Sequence, residues 1–122
     1  MTNDIFVFDT YAILEIINGS KNYEKYIYSK IIINDFIFAE LCYKLFRENV
    51  PKSEEYIRKY SIFISDLQPD IIKEAMLFRI KNISKKLSMT DCISYMMARK
   101  LNIKFLTGDK EFKDLDGVEF VK

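Results

Sequence analysis

Four apolar residues in an unbroken run, Ile5-Phe6-Val7-Phe8, end abruptly at Asp9, and this constrains the fold more than any other feature of the chain. A run so short, without polar alternation and rich in β-formers, suits a strand buried on both faces of a parallel sheet. Such a sheet needs helices on its faces, and the sequence supplies them. Thr10 to Asn18 reads as a short helix closed by Gly19. Ile31-Ile32-Ile33 reads as a second strand ending at Asn34-Asp35, either of which can cap the next helix. That helix, about Phe36 to Asn49, is apolar on most sides and stops before Pro51. A charged helix over about Lys52 to Tyr60, a third strand at Ile62-Phe63-Ile64 and a helix from Pro69-Asp70 towards Lys81 follow. Ser88-Met89-Thr90-Asp91 carries the capping-box pattern ahead of a strongly apolar helix reaching Leu101. Ile103 to Leu106 and Val118 to Val121 complete five predicted strands.

This alternation predicts an α/β sandwich of three layers, a mostly parallel five-stranded sheet flanked by helices and joined by right-handed crossovers. The 122 residues suit one domain spanning 1–122, and with 3 glycines and 2 prolines the elements should be regular. Cys42 and Cys92 sit inside apolar helical patterns and read as reduced core residues rather than a disulfide framework. The first residues lack the pattern of a secretion signal, and no apolar run approaches bilayer length. A cytoplasmic location without membrane contact is the expectation.

Histidine is absent, which excludes Ser-His-Asp and Cys-His catalysis, imidazole metal ligands and histidine-based ribonuclease mechanisms. Hydrolytic chemistry would have to rest on carboxylates, lysines or a hard metal. A net charge of +1 from 19 basic and 18 acidic residues means that an anionic partner must be met by a local patch.

Four acids are placed to matter. In parallel α/β folds the site lies beyond the carboxyl ends of the strands, and Asp9 and Asp109 each follow a predicted strand. Asp91 opens a helix, and Glu40 lies in an apolar one, where an unpaired charge is costly. Each has a structural role open to it: Asp9 as a helix cap, Asp91 as half of a capping box, Asp109 as a turn residue, Glu40 as a snorkelling surface group. Together they form an all-oxygen donor set that favours Mg²⁺ or Mn²⁺. Clustered carboxylates repel unless a cation neutralises them, and that cation can activate water and stabilise phosphoryl charge, as phosphodiester hydrolysis requires.

Phe8-Asp9-Thr10, Ala39-Glu40-Leu41, Thr90-Asp91-Cys92-Ile93 and Leu106-Thr107-Gly108-Asp109-Lys110-Glu111-Phe112, in that order and spacing, resemble the PIN-domain pattern. Within that family the chain most resembles the short VapC-like toxins of toxin–antitoxin pairs, over nearly its whole length. The resemblance implies a Mg²⁺- or Mn²⁺-dependent endoribonuclease. It implies Asp9, Glu40 and Asp91 as principal metal-site acids, Asp109 as the more variable fourth, and Thr107 as a hydroxyl that orients ligand or water, with Thr10 beside it as a supporting residue. It also implies a homodimer held inactive by an antitoxin segment. Tyr11 departs from the pattern, because a small polar residue usually stands there.

Lys81, Lys85, Lys86 and Lys110 flank these motifs and are candidates to grip RNA phosphates, against the simpler reading of a solvated lysine face. Phe36, Phe38, Tyr43 and Phe46, at helical spacing, read as core or interface residues rather than base-stacking ones. Two alternatives compete: a PIN fold that binds RNA or protein without cutting, and a phosphoacceptor receiver domain with Asp66 and Thr107 after its third and fourth strands. A haloacid-dehalogenase-like phosphatase would need an acid where Tyr11 stands.

Overall fold

The computed structural model describes residues 4–122. Its sheet is built from β1 (Ile5–Phe8), β2 (Lys30–Ile32), β3 (Lys104–Thr107) and β4 (Val118–Phe120), and its helices are α1 (Thr10–Ile17), α2 (Asp35–Arg47), α3 (Ser53–Ser61), α4 (Pro69–Lys81) and α5 (Met89–Leu101). The strands run in the order β2-β1-β3-β4, all parallel, as the apolar runs require. Val7 and Phe8 of β1 and Phe105 and Leu106 of β3 are fully enclosed, and they form the floor on which the helices pack.

The expected third strand is where the structure departs from the five-stranded reading. Ile64 makes only an isolated parallel bridge to Ile33, fixed by Ile33 N–H donating to Phe63 O (3.1 Å) and Ser65 N–H to Ile33 O (2.8 Å). The cause is local: α3 ends immediately before it, and the N–H groups of Phe63 and Ile64 turn back onto Tyr60 O and Ser61 O. Donors committed to a helix end are not available to a ladder. Ile62 is accordingly 76% exposed. The segment occupies the place of a fifth strand beside β2 without extending the sheet.

Helix starts follow the capping signals. Asn34, not Asp35, caps α2, its side chain accepting from Ile37 N–H, and α5 opens with a complete Ser88/Asp91 capping box. Cys92 is buried and Cys42 is only half-buried, and both are free thiols. Among the described residues no helix is long and apolar enough to cross a membrane.

The topology creates a switch point at β1. From β1 the chain goes through α1 to β2 on one side, and after α2 to α5 it returns as β3 on the other. The connections diverge at the carboxyl end of β1, and a crevice opens there.

Candidate active site

Asp9 N–H continues the ladder onto Leu106 O (2.9 Å), so Asp9 is fixed by the sheet itself, at the mouth of this crevice. Its backbone occupies the cap position of α1, but its carboxylate makes no cap bond. Instead Oδ2 accepts from Thr107 Oγ1 across the β1/β3 boundary (2.7 Å), and Thr107 Oγ1 in turn accepts from Asp109 N–H (3.0 Å). One buried hydroxyl thus ties the first acid to the loop that carries the last. This also explains why Tyr11 is tolerated two residues after Asp9: the hydroxyl contact comes from the neighbouring strand.

The cleft has a volume of about 510 Å³, and all four predicted acids line it: Asp9, Glu40, Asp91 and Asp109. Asp91 reaches it from the first turn of α5 while its Oδ2 accepts from Ser88 N–H (3.0 Å), so its structural role and its place in the cleft coexist. Asp109 likewise uses Oδ1 to accept from Glu111 N–H (3.0 Å), capping the short 3₁₀ turn Lys110–Phe112. Glu40 is not enclosed in apolar surroundings as the sequence implied. It is half-buried beside an exposed Ala39, at the cleft-facing edge of α2.

Electrostatics set Asp9 apart. It is 5% exposed, and burial, reinforced by the charges of Asp91 and Glu40 and opposed by the Thr107 hydrogen bond, pushes its carboxyl up to about 7. Burial is also the leading cause of the rise at Asp91, with Asp109 and Glu40 adding to it. Among the described residues the ion pairs use Glu48, Glu74 and Glu119, and none uses the four cleft acids. Thr10, next to Asp9, is 1% exposed, and its Oγ1 is a buried side-chain atom without a hydrogen-bond partner.

The acids share the cleft without converging. Among the described residues no three His, Cys, Asp or Glu side chains stand close enough to hold one ion. Like charges separate, and the cap bonds at Asp91 and Asp109 hold those two carboxylates to their own backbones. The donor chemistry nonetheless fits a hard divalent cation: carboxylate oxygens only, at least one of them deeply buried and raised, and no protein cation paired to them. A carboxylate with one oxygen in a hydrogen bond still has acceptor capacity to spare.

Three lysines, Lys44, Lys110 and Lys122, complete the wall together with Tyr11, Ser88 and Gly108. Of the basic residues expected around the site, only Lys110 lines it. Lys81 and Lys86 are exposed elsewhere, and Lys85 Nζ donates to Glu111 O (3.4 Å). Lys44 was legible in principle, since it lies one helical turn beyond Glu40 on the same face. Lys122 was not, because its place depends on β4 pairing with β3, extended by Val121 N–H donating to Thr107 O (2.9 Å). Phe36, Tyr43 and Phe46 do not enter the core: they are 41%, 60% and 53% exposed on α2.

Solved structures share this architecture. A toxin–antitoxin complex from Klebsiella pneumoniae superposes with a TM-score of 0.76 at 18% identity, covering 93% of this chain and 95% of that one. VapC20 of Mycobacterium tuberculosis, described as a sarcin-ricin loop cleaving toxin, gives 0.76 at 16% identity, covering 98% and 100%. VapBC2 of Rickettsia felis, solved with a promoter DNA fragment, gives 0.70 at 21%, covering 97% and 99%. No curated protein matches the sequence. The family model of the PIN domain matches residues 6–118, from within β1 to the start of β4, so that every motif lining the cleft except Lys122 falls inside the match: this chain belongs to the PIN-domain family.

Proposed function

We propose that the chain is a Mg²⁺- or Mn²⁺-dependent endoribonuclease and the toxin of a toxin–antitoxin pair. The observation that carries this is Asp9: a carboxyl buried at the topological switch point, pushed up to about 7 by burial and by neighbouring acids, and paired with no cation among the described residues. Asp9, Glu40, Asp91 and Asp109 would hold the ion. When bound, it would supply an activated water and offset the charge that builds on the phosphoryl oxygens. Thr107 keeps Asp9 oriented, and Thr10 keeps an unused hydroxyl beside it. Lys44, Lys110 and Lys122 would grip the phosphates that flank the acids, as point charges that follow the backbone without reading bases.

RNA as substrate rests on family membership and on the likeness to a toxin that cuts the sarcin-ricin loop. An antitoxin partner rests on the two likenesses to toxin–antitoxin assemblies. Exposed Tyr43 and Phe46 on α2, and Leu77, Ile80 and Ile83 on and after α4, are apolar surface that an antitoxin segment and a second copy of the chain would cover. One observation favours a second reading, a PIN fold that binds RNA or protein without cutting: the acids do not converge.

The purified chain, given a mixed RNA pool with Mn²⁺ or with chelator, decides between them. Metal-dependent cutting that disappears in Asp9→Asn, with unchanged circular dichroism, is the expected result. RNA bound but uncut at every metal concentration would give the binding module precedence.

A further inference from the structure

The cleft wall carries one aromatic ring. Its other lining residues are charged, polar or glycine, and Tyr11 alone offers a flat apolar surface there. That surface is locked in place. A Cβ built on Gly108 would lie 2.2 Å from Tyr11 Cε1 and 2.8 Å from Cδ1, so the ring lies directly on the Gly108 backbone, in space that any other residue would fill. Gly108 has no positive φ to explain it, and the close approach of the ring together with that of Val121 O, 2.6 Å from the same Cβ, is its reason for being glycine. The ring also meets the buried Tyr23 in a tilted, edge-type contact, centroids 6.2 Å apart and planes inclined by 52°, which does not stack on its face. Held by both, Tyr11 remains half-buried and open to the cleft.

Position gives the ring a task. Tyr11 is in the first turn of α1, two residues from Asp9, and its support, Gly108, adjoins Asp109. A phosphodiester lying over the acids therefore has one wall that can take a nucleobase, and each base is separated from its phosphate by a single ribose. The lysines and acids around it cannot distinguish a nucleotide from its abasic counterpart, whereas an aromatic face can, because bases stack on it.

We infer that Tyr11 is the base-stacking residue of this cleft: it holds the nucleobase next to the scissile phosphate and sets the register of single-stranded RNA over Asp9. The inference rests on the ribonuclease reading above. It makes Tyr11 a substrate-binding residue that specifies position, and it assigns no chemistry to the phenol.

The test is an abasic scan. A short single-stranded RNA spanning a cut found in the pooled assay is remade with the base removed at each position in turn, and kcat/KM is measured for each substrate. With the unaltered chain, one position adjoining the cut should lose about tenfold in kcat/KM, about 1.4 kcal/mol. Tyr11→Leu should lose about as much on the intact RNA, chiefly through KM, and should show no further loss at that position. Tyr11→Phe, which keeps the ring at the same size, should behave as the unaltered chain does. A flat scan in the unaltered chain, an unchanged position-specific loss in Tyr11→Leu, or a Tyr11→Phe variant as impaired as Tyr11→Leu overturns the inference while leaving the nuclease intact. A chain that cuts no RNA fails earlier, at the ribonuclease reading itself.

Discussion

Asp9 and Glu119 are both carried by the sheet, and the molecule treats them in opposite ways. Glu119, in β4, accepts from Tyr26 Oη at 2.6 Å through one oxygen and has Lys104 Nζ at 3.8 Å from the other. It is satisfied by its own chain. Asp9, at the end of β1, has one neutral hydroxyl donor, two acids acting on it, and almost no access to water. A structural acid is given its counter-charge by the fold. An acid left buried without one is a standing cost to folding, and on the function proposed above that cost is offset when an external cation binds.

The largest expected effect follows from that cost. The Asp9 carboxyl stands at about 7 in the folded chain against 3.8 in its absence. The folded state therefore holds this proton more tightly than the unfolded state does. The stability it contributes is complete below about pH 4, falls as pH rises towards 7, and is gone above that. Asp9→Asn keeps an oxygen to accept from Thr107 and removes the charge. In chelator the variant should match the parent near pH 4 and exceed it at pH 8, by on the order of 4 kcal/mol as an upper bound. Denaturant titrations at the two pH values measure this. Equal stability of the two proteins at pH 8 would put Asp9 in the same class as Glu119.

Thr107 gives the next effect in size. Thr107→Val keeps the shape but deprives Asp9 of its donor in a buried setting and Asp109 N–H of its acceptor in a part-buried one. Because the hydroxyl opposes the rise at Asp9, its loss should push that carboxyl higher still. The variant should lose about 1–3 kcal/mol in metal-free buffer at pH 8, and less at pH 5, where Asp9 is largely protonated. Thr107→Ser should recover most of it. A loss independent of pH would show that the methyl packing of Thr107, and not its hydroxyl, is what matters.

Most of the fold was legible because its signals are local. The unbroken apolar runs gave β1 and β2, Pro69 gave the start of α4, and Ser88 with Asp91 gave α5 through reciprocal bonds three residues apart. Ile62 to Ile64 failed for the converse reason: β-branched composition favours a strand, but the end of α3 had already taken the N–H donors a strand needs. At the site, the four expected acids line one cleft without converging on a point, and Glu40 is more exposed than its neighbours in sequence imply. Lys122 and the ring of Tyr11 depend on which strand lies beside β3 and which glycine lies beneath α1. The first is a pairing of residues 13 apart across a loop, Phe105 with Val118, the second a contact between Tyr11 and Gly108 from opposite ends of the chain, and no local period encodes either.

The smallest expected effect closes the comparison from the other side. Glu119→Gln removes the charge facing Lys104 and keeps an amide oxygen for Tyr26. Lys104 is 60% exposed and the pair is long, so solvent screens what attraction there is, and the change should cost less than about 1 kcal/mol. It should also shrink further in 1 M salt, because exposed pairs are the ones salt weakens. The sign carries the argument more than the size. Neutralising Glu119 should lower metal-free stability slightly, and neutralising Asp9 should raise it at the same pH, since one charge has a partner in the fold and the other has none. If both substitutions moved stability in the same direction at pH 8, the distinction between an acid the chain satisfies and an acid it reserves would fail. The cleft would then have to be read as an ordinary polar edge of the sheet.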